Sequence, residues 1–343
     1  MCKTRIAING FGRIGRMVFR QAVKDDALEV VAINANYPPE TLAHLIKYDS
    51  IHGIFDGDVK ALQNGLEVDG KRINLVSSRE PENLPWQAHE IDIVIEATGK
   101  FKTKEDAGRH IQAGAKKVVI TAPGKQVDKT IVMGVNEQTY NPEEDEVISN
   151  ASCTTNCLAP VVKVLDNHLT IINGLMTTVH SFTNDQKNLD NPHKDLRRAR
   201  GCTQSIIPTS TGAAKALGEV MPQLDGKLHG MALRVPTPNV SLVDLVIDVE
   251  ESVTASEINE LFRDASENGM HGIIKYSDEP LVSIDYTTTE YSAIIDGLST
   301  MVMDDSKIKI LAWYDNEWGY SKRVVDLTRY VGNHINNRQP QVS

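Results

Sequence analysis

Several absences bound this chain before any motif is read. No apolar run approaches the roughly 20 residues that a membrane-spanning helix needs. The opening residues Met1-Cys2-Lys3-Thr4-Arg5 run straight into a strand, without the apolar core or small-residue cleavage site of a secretory signal. Positive charge is in deficit. With 36 Lys and Arg against 46 Asp and Glu, the formal net charge of −10 gives no support to nucleic acid or an anionic membrane as a partner. Only 4 cysteines occur in 343 residues, which is no disulfide framework, and a reducing cytoplasm is the expected compartment. No spacing of His and Cys resembles a zinc site, so no metal is expected.

What is present reads as an ordinary globular composition, 41% hydrophobic and 24% charged, long enough for two domains. Thr4 to Asn9 is a short apolar strand pattern, Gly10-Phe11-Gly12-Arg13-Ile14-Gly15 a G-x-G-x-x-G turn, and Arg16 to Lys24 a helical run. A second strand follows at Leu28 to Asn34. Glycines between a strand and a helix, in a unit of about thirty residues, are the setting of a dinucleotide-binding turn. A tight glycine turn without a ligand is the plainer reading of the same string. Further strands at Ile91 to Thr98, Lys117 to Thr121 and Thr130 to Met133, with a helix at Thr103 to Ala113, point to a parallel sheet covered on both faces. Tyr48 to Ser78, with Asp-Gly and Asn-Gly turns, reads as inserted antiparallel hairpins.

One more absence is chemical. About 20 residues past the glycines, a dinucleotide site holds the adenosine ribose with a carboxylate. Here that count falls on Ala35, within Asn34-Ala35-Asn36-Tyr37, and no acid appears before Glu40. A carboxylate would bond the ribose hydroxyls and repel a 2′-phosphate, and alanine does neither. NADP is therefore expected over NAD, although Asn34 and backbone groups could hold NAD.

The second half is organised around Val147 to Pro160, V-I-S-N-A-S-C-T-T-N-C-L-A-P. A strand ends, capping residues follow, and a helical run occupies Thr154 to Leu165, which leaves Cys153 at the helix entrance. Free backbone N–H groups and the helix dipole there favour a thiolate, a nucleophile for carbonyl carbon. The alternative is a small buried apolar residue, which is also the reading for Cys157. Gly174 to His180 is a strand pattern that delivers His180 at its end, the natural base for Cys153. Val240 to Glu250 and Lys307 to Tyr314 are long β runs, Ser256 to Asn268 an amphipathic helix, and Ser181 to Ile207 a long polar loop. Pro208 to Ala214 opens a helix with hydroxyls and a glycine, which suits a phosphate or a simple cap. Arg197, Arg198, Arg200 and Arg234 are phosphate-clamp candidates or, for the run, a solvated or subunit face. Ser321 to Ile335 is a terminal helix expected to pack back on the first domain.

S-N-A-S-C-T-T-N-C, T-T-V-H-S-F-T-N-D-Q, P-T-S-T-G-A-A-K, L-R-V-P-T-P-N-V-S and W-Y-D-N-E-W-G-Y together resemble phosphorylating glyceraldehyde-3-phosphate dehydrogenase, over nearly the whole chain. The resemblance implies an α/β chain: a Rossmann domain at 1–150, a mostly antiparallel catalytic domain at 151–315 and the returning helix at 316–343, assembled as a homotetramer. It makes Cys153 the nucleophile and His180 the base for oxidising glyceraldehyde 3-phosphate through a hemithioacetal and a thioester that inorganic phosphate cleaves. Thr183 and Arg234 match the substrate-phosphate side; Ser152, Thr154, Arg198, Thr211 and Gly212 match the inorganic-phosphate side. Gly10, Gly12, Arg13, Ile14, Gly15, Asn34, Ala35, Arg79, Thr121 and Asn316 fall at cofactor positions, Asn316 on the nicotinamide amide. The glycolytic NAD enzymes commonly carry aspartate where Ala35 stands, and many have leucine before the proline in Asp190-Asn191-Pro192. The Ala35 change, with A-I-N-A-N-Y around it, resembles the bacterial NADP-preferring branch, which works mainly in the gluconeogenic direction. Erythrose 4-phosphate as substrate, or a non-catalytic binding protein on the same fold, are the competing expectations.

Overall fold

The structure is a computed structural model that describes residues 3–336. They divide into two compact units, one within Met1–Ile131, Glu137–Ala151 and Ser321–Ser343, the other comprising Val132–Asn136 and Ser152–Tyr320.

The first unit is built on a nine-stranded sheet in the order Lys129–Thr130, Val147–Ser149, Lys117–Ile120, Ile93–Glu96, Thr4–Asn9, Leu28–Asn34, Lys71–Val76, Gly65–Val68 and Val59–Leu62. The first seven run parallel, and their central members are apolar on both faces, with Ile6, Ala7, Ile8, Val94 and Val119 fully buried. Helices Arg13–Ala22 and Lys104–Gln112 follow strands, the latter capped by Thr103. The segment expected as inserted hairpins does pair antiparallel within itself, but its last strand joins the parallel sheet, Ala32 facing Asn74. Ile73, Leu66 and Val68 supply the apolar face that fastens it there. The strand expected at Thr130 to Met133 shortens to Lys129–Thr130, because the backbone turns and Val132 N donates to Asn136 Oδ1 at 2.9 Å. The helix Trp318–Asn336 enters this unit at Ser321, where Arg329 donates to Asp25 at 3.3 Å and Asn336 to Thr4 at 3.1 Å.

The second unit carries an eight-stranded sheet in the order Ile207–Ser210, Leu228–Val235, Ile171–Ser181, Ser241–Val249, Lys307–Tyr314, Ala293–Asp296 and Ile274–Ser277, with Met301–Met303 also on Lys307–Tyr314. Pairing is antiparallel except between Ile171–Ser181 and Leu228–Val235, and between Ile274–Ser277 and Ala293–Asp296. Burial alternates strictly along Ser241–Val249, so one face meets helices Cys153–Asp166, Ala213–Val220 and Ala255–Glu267. The other face leaves Leu175, Met231, Met301 and Met303 exposed. Thr254 and Glu257 form a capping box that starts the last of those helices. Among the described residues no helix is long and apolar enough to cross a membrane.

Candidate active site

The cysteine stretch folds by a sharp strand-to-helix turn. Ala151 takes a left-handed backbone, φ 54°, at a cost of about 1–2 kcal/mol for a residue with a Cβ. Ser152 is then the N-cap, its Oγ accepting from Thr155 N at 3.1 Å, and Cys153 is the first helical residue. The thiol is partly accessible, whereas Cys157, one turn on, is fully buried.

The strand Ile171–Ser181 brings His180 to this helix start. His180 Nε2 lies 3.5 Å from Cys153 Sγ. Its Nδ1 lies 2.7 Å from Ser181 O and 2.9 Å from Arg234 Nη1, so the carbonyl and the guanidinium both face that nitrogen and Nε2 is the one turned to sulfur. Arg234 sits behind the ring, Nη1 donating to Ser181 O at 2.9 Å. Arg234 Nε is buried with no partner among the described residues, a donor available to an anion. Burial, and then the Arg234 charge, push the imidazole down to about 3. Burial pushes the Cys153 thiol up, against Arg234 and the Thr154 hydroxyl and N–H, which pull it down. Each group alone is thus held neutral, and charge separation depends on their mutual attraction.

The remaining expected residues of this unit are placed unequally. Thr154 is buried and shares a hydrogen bond with Tyr314 OH at 2.9 Å, and that hydroxyl also meets Thr178 at 2.9 Å. Arg198 bonds Thr209 Oγ1 at 2.9 Å and is ion-paired with Asp185 and, at 3.6 Å, Asp195, so its charge is shared with acids that sequence reading did not foresee. It is near enough for its charge to lower both His180 and Arg234. Thr211 and Gly212 precede the helix Ala213–Val220, with Thr211 Oγ1 accepting from Ala213 N at 3.3 Å. Thr183 N donates to the buried Gln186 Oε1 at 3.3 Å. Asn316 is buried, and Ser241 Oγ donates to its Oδ1 at 2.7 Å.

In the first unit a cavity of about 520 Å³ opens over the glycine turn, lined among others by Gly10, Gly12, Ala35, Asn36, Arg79 and Lys100. Gly10 has φ 93°, and a Cβ there would sit 2.7 Å from Thr98 N; a Cβ on Gly15 would lie 2.2 Å from Gly10 O. Gly12, the N-cap of Arg13–Ala22, instead faces open space and caps nothing with a side chain, so the helix N–H groups are left for a phosphate. These features fit a bound dinucleotide. Thr121 follows a neighbouring strand, its N donating to Glu96 O at 3.0 Å. Two expected contacts are otherwise engaged. The Arg13 guanidinium is ion-paired with the buried Asp49, and the Asn34 carboxamide bridges Asn9 at 2.6 Å and Ser78 at 2.8 and 2.9 Å.

Residues 4–104 match the family model for the glyceraldehyde 3-phosphate dehydrogenase NAD binding domain, and 152–316 match that for its C-terminal domain. The chain belongs to the glyceraldehyde-3-phosphate dehydrogenase family. It is 67% identical over 329 residues to "Glyceraldehyde-3-phosphate dehydrogenase 2" of Bacillus subtilis (strain 168), covering 96% of this chain and 97% of the relative. Identity is 60% to the protein of that name in Staphylococcus aureus (strain MRSA252) and 58% to that in Staphylococcus epidermidis, each covering 98% of both chains.

The chain is accordingly an NAD(P)-dependent oxidoreductase of that dehydrogenase family, with an NAD-binding unit and a catalytic unit. The C-terminal model begins at the N-cap Ser152 and ends at Asn316. Sequence reading missed the hydroxyl of Tyr314, which joins Thr154 to Thr178, and Ser241, which holds Asn316. The signal for both lay inside quoted motifs, W-Y-D-N-E-W-G-Y and L-R-V-P-T-P-N-V-S, whose spacing alone assigns no partner.

Proposed function

We propose that the chain catalyses the phosphorylating oxidation of glyceraldehyde 3-phosphate to 1,3-bisphosphoglycerate, and the reverse reduction, with NADP preferred over NAD. The observation that carries this is the 3.5 Å approach of Cys153 Sγ to His180 Nε2. Cys153 attacks the aldehyde carbon, and its proton passes through His180 to the carbonyl oxygen, giving a hemithioacetal. Attraction between sulfur anion and imidazolium at this range, about 4 kcal/mol at an effective dielectric of 20, offsets much of the burial that opposes the transfer. When bound, the dinucleotide supplies the hydride acceptor. His180 takes the hemithioacetal hydroxyl proton as the hydride leaves, and a thioester remains on Cys153. An oxygen of inorganic phosphate then attacks the thioester carbon, and the departing sulfur regenerates the thiol. A thioester stores enough free energy to form an acyl phosphate, which is the reason for sulfur at this position.

Arg234, with its unpartnered buried Nε, and Thr183 are assigned the substrate phosphate; Ser152, Thr154, Arg198, Thr211 and Gly212 the inorganic phosphate. The helix start at Gly12, Arg13 and Ile14 takes the pyrophosphate, and Asn316 the nicotinamide carboxamide. NADP preference rests on the cavity wall: no Asp or Glu lines it, Arg16, Arg79 and Lys100 do, and Ala35 leaves a 2′-phosphate unopposed. Ser77, which donates to Asn36 at 2.8 Å, and Ser78 add hydroxyls beside that position. A homotetramer fits the open sheet face, where Leu175 faces Val246, then Lys309, then Met301 across four strands, and Leu175 and Met301 are exposed among the described residues. The cytoplasm is the proposed compartment, since free thiols carry the chemistry. Initial rates with each cofactor in both directions, and with erythrose 4-phosphate in place of the triose, test the reading; a triose rate below the tetrose rate would contradict it.

A further inference from the structure

Between the strands Ile171–Ser181 and Lys307–Tyr314, at the start of Ser241–Val249, lies Ser241, 1% exposed. Its hydroxyl has one hydrogen and a fixed set of partners. Ser181 N donates to Ser241 Oγ at 3.1 Å, and Ser241 Oγ donates its hydrogen to Asn316 Oδ1 at 2.7 Å. Asn316 Nδ2 has no partner among the described residues. The carboxamide therefore turns its oxygen toward Ser241 and leaves both Nδ2 hydrogens for a ligand.

The surroundings fix this arrangement from both sides. Val240, a β-branched residue immediately before Ser241, takes φ 65°, a conformation that such residues avoid. It is held there in part by Ser181 Oγ, which donates to Val240 O at 2.7 Å. On the other side Asp315, 1% exposed, is saturated: Oδ1 accepts from Glu317 N and Trp318 N at 2.9 and 2.8 Å, and Oδ2 from Asn239 Nδ2 and Thr288 N at 2.8 and 2.7 Å. The backbone on which Asn316 rides is thus pinned, and only its amide rotation is left for a side chain to decide. Backbone strain beside a buried polar contact is a mark of positions where geometry is held for function.

We propose that Ser241 is a positioning residue for cofactor recognition. By occupying Asn316 Oδ1 it makes Asn316 a reader of a carbonyl oxygen on the nicotinamide ring, and not of the amide NH₂. This rests on the assignment of Asn316 to the nicotinamide carboxamide made above. The base is held through other bonds, since His180 Nδ1 and Arg234 Nη1 meet Ser181 O while Ser241 meets Ser181 N.

The test is equilibrium titration of the intact enzyme with NADP and with its 3-acetylpyridine analogue, which keeps the ring carbonyl and lacks the NH₂. The wild type is expected to hold both with dissociation constants within about threefold, as one neutral hydrogen bond at most separates them. Ser241→Ala is expected to weaken NADP about 3- to 10-fold, the scale of one buried hydrogen bond, through KM more than kcat. Ser241→Thr, which keeps the hydroxyl, restores it. In an Asn316→Ala background Ser241→Ala adds nothing, and alkylation of Cys153 in the cofactor-free enzyme keeps its rate. Ser241→Cys, a near-isostere and poor donor, gives the same binding result should the alanine variant fold poorly. The proposal is overturned if Ser241→Ala leaves NADP affinity unchanged or weakens it equally without Asn316. If Asn316→Ala itself leaves both affinities unchanged, the assignment of Asn316 fails instead, and this proposal with it.

Discussion

His180 turns Nε2 to Cys153, 3.5 Å from the sulfur, while Nδ1 lies 2.7 Å from Ser181 O and 2.9 Å from Arg234 Nη1. A base so oriented needs no ring flip to accept a proton. Replacing it by asparagine keeps a polar side chain and removes the proton acceptor. His180→Asn should lower kcat about 10²- to 10⁴-fold, the usual worth of general base catalysis, with a smaller change in KM for the aldehyde. Steady-state kinetics with the triose phosphate check it, and a loss confined to KM would assign His180 to binding.

Cofactor choice should follow charge at position 35. In Ala35→Asp the new carboxylate meets the ribose hydroxyls and repels a 2′-phosphate, each worth about 1.5–3 kcal/mol when the group is charged. The ratio of kcat/KM for NADP over that for NAD is expected to fall by at least tenfold. An unchanged ratio places the discriminator elsewhere on the cavity wall.

Acid sensitivity should be traceable to Asp49. The Arg13 guanidinium and the N–H groups of Ile51 and His52 hold its carboxyl well below the ordinary range, despite burial acting the other way. A carboxyl depressed in the folded state contributes stability above its unfolded pKa, about 3.9, and loses it as pH falls below that value. Asp49→Asn should therefore cost about 3 kcal/mol near pH 7, since it removes the charge that pairs with the Arg13 guanidinium at a partly buried site. Thermal unfolding of both proteins should converge toward pH 3. A gap that widens with acid would contradict the pairing.

The open face of the second sheet gives a test of assembly. Leu175 is 67% exposed there, across from Val246 and in line with Met301. Leu175→Glu should shift the species seen by light scattering from tetramer to smaller forms, while circular dichroism keeps its shape. A tetramer that persists would move the interface off this face.

What the sequence disclosed was whatever depends on near neighbours. The glycine turn, the Ser152 cap before Cys153 and the strand that ends at His180 each follow from residues a few positions apart. Partners chosen by the fold were illegible. The ion pair of Arg13 with Asp49, 36 residues on, had no signal in the chain. Nor did the bonds of the Asn34 carboxamide to Asn9 and Ser78. Arg198 reads as a free clamp until the loop brings Asp185 and Asp195 to it. Likewise, Gly174 to His180 reads as a strand, but the pattern is silent on the parallel pairing of Ile171–Ser181 with Leu228–Val235, because side-chain period is the same in either direction.

The most direct measurement of the central claim omits phosphate. Enzyme mixed rapidly with glyceraldehyde 3-phosphate and NADP should release a burst of reduced cofactor equal to the number of subunits and then stall, with mass spectrometry placing the acyl group on the peptide that carries Cys153. No burst, an acyl group on another residue, or a Cys153→Ser variant that turns over like the wild type would contradict the account.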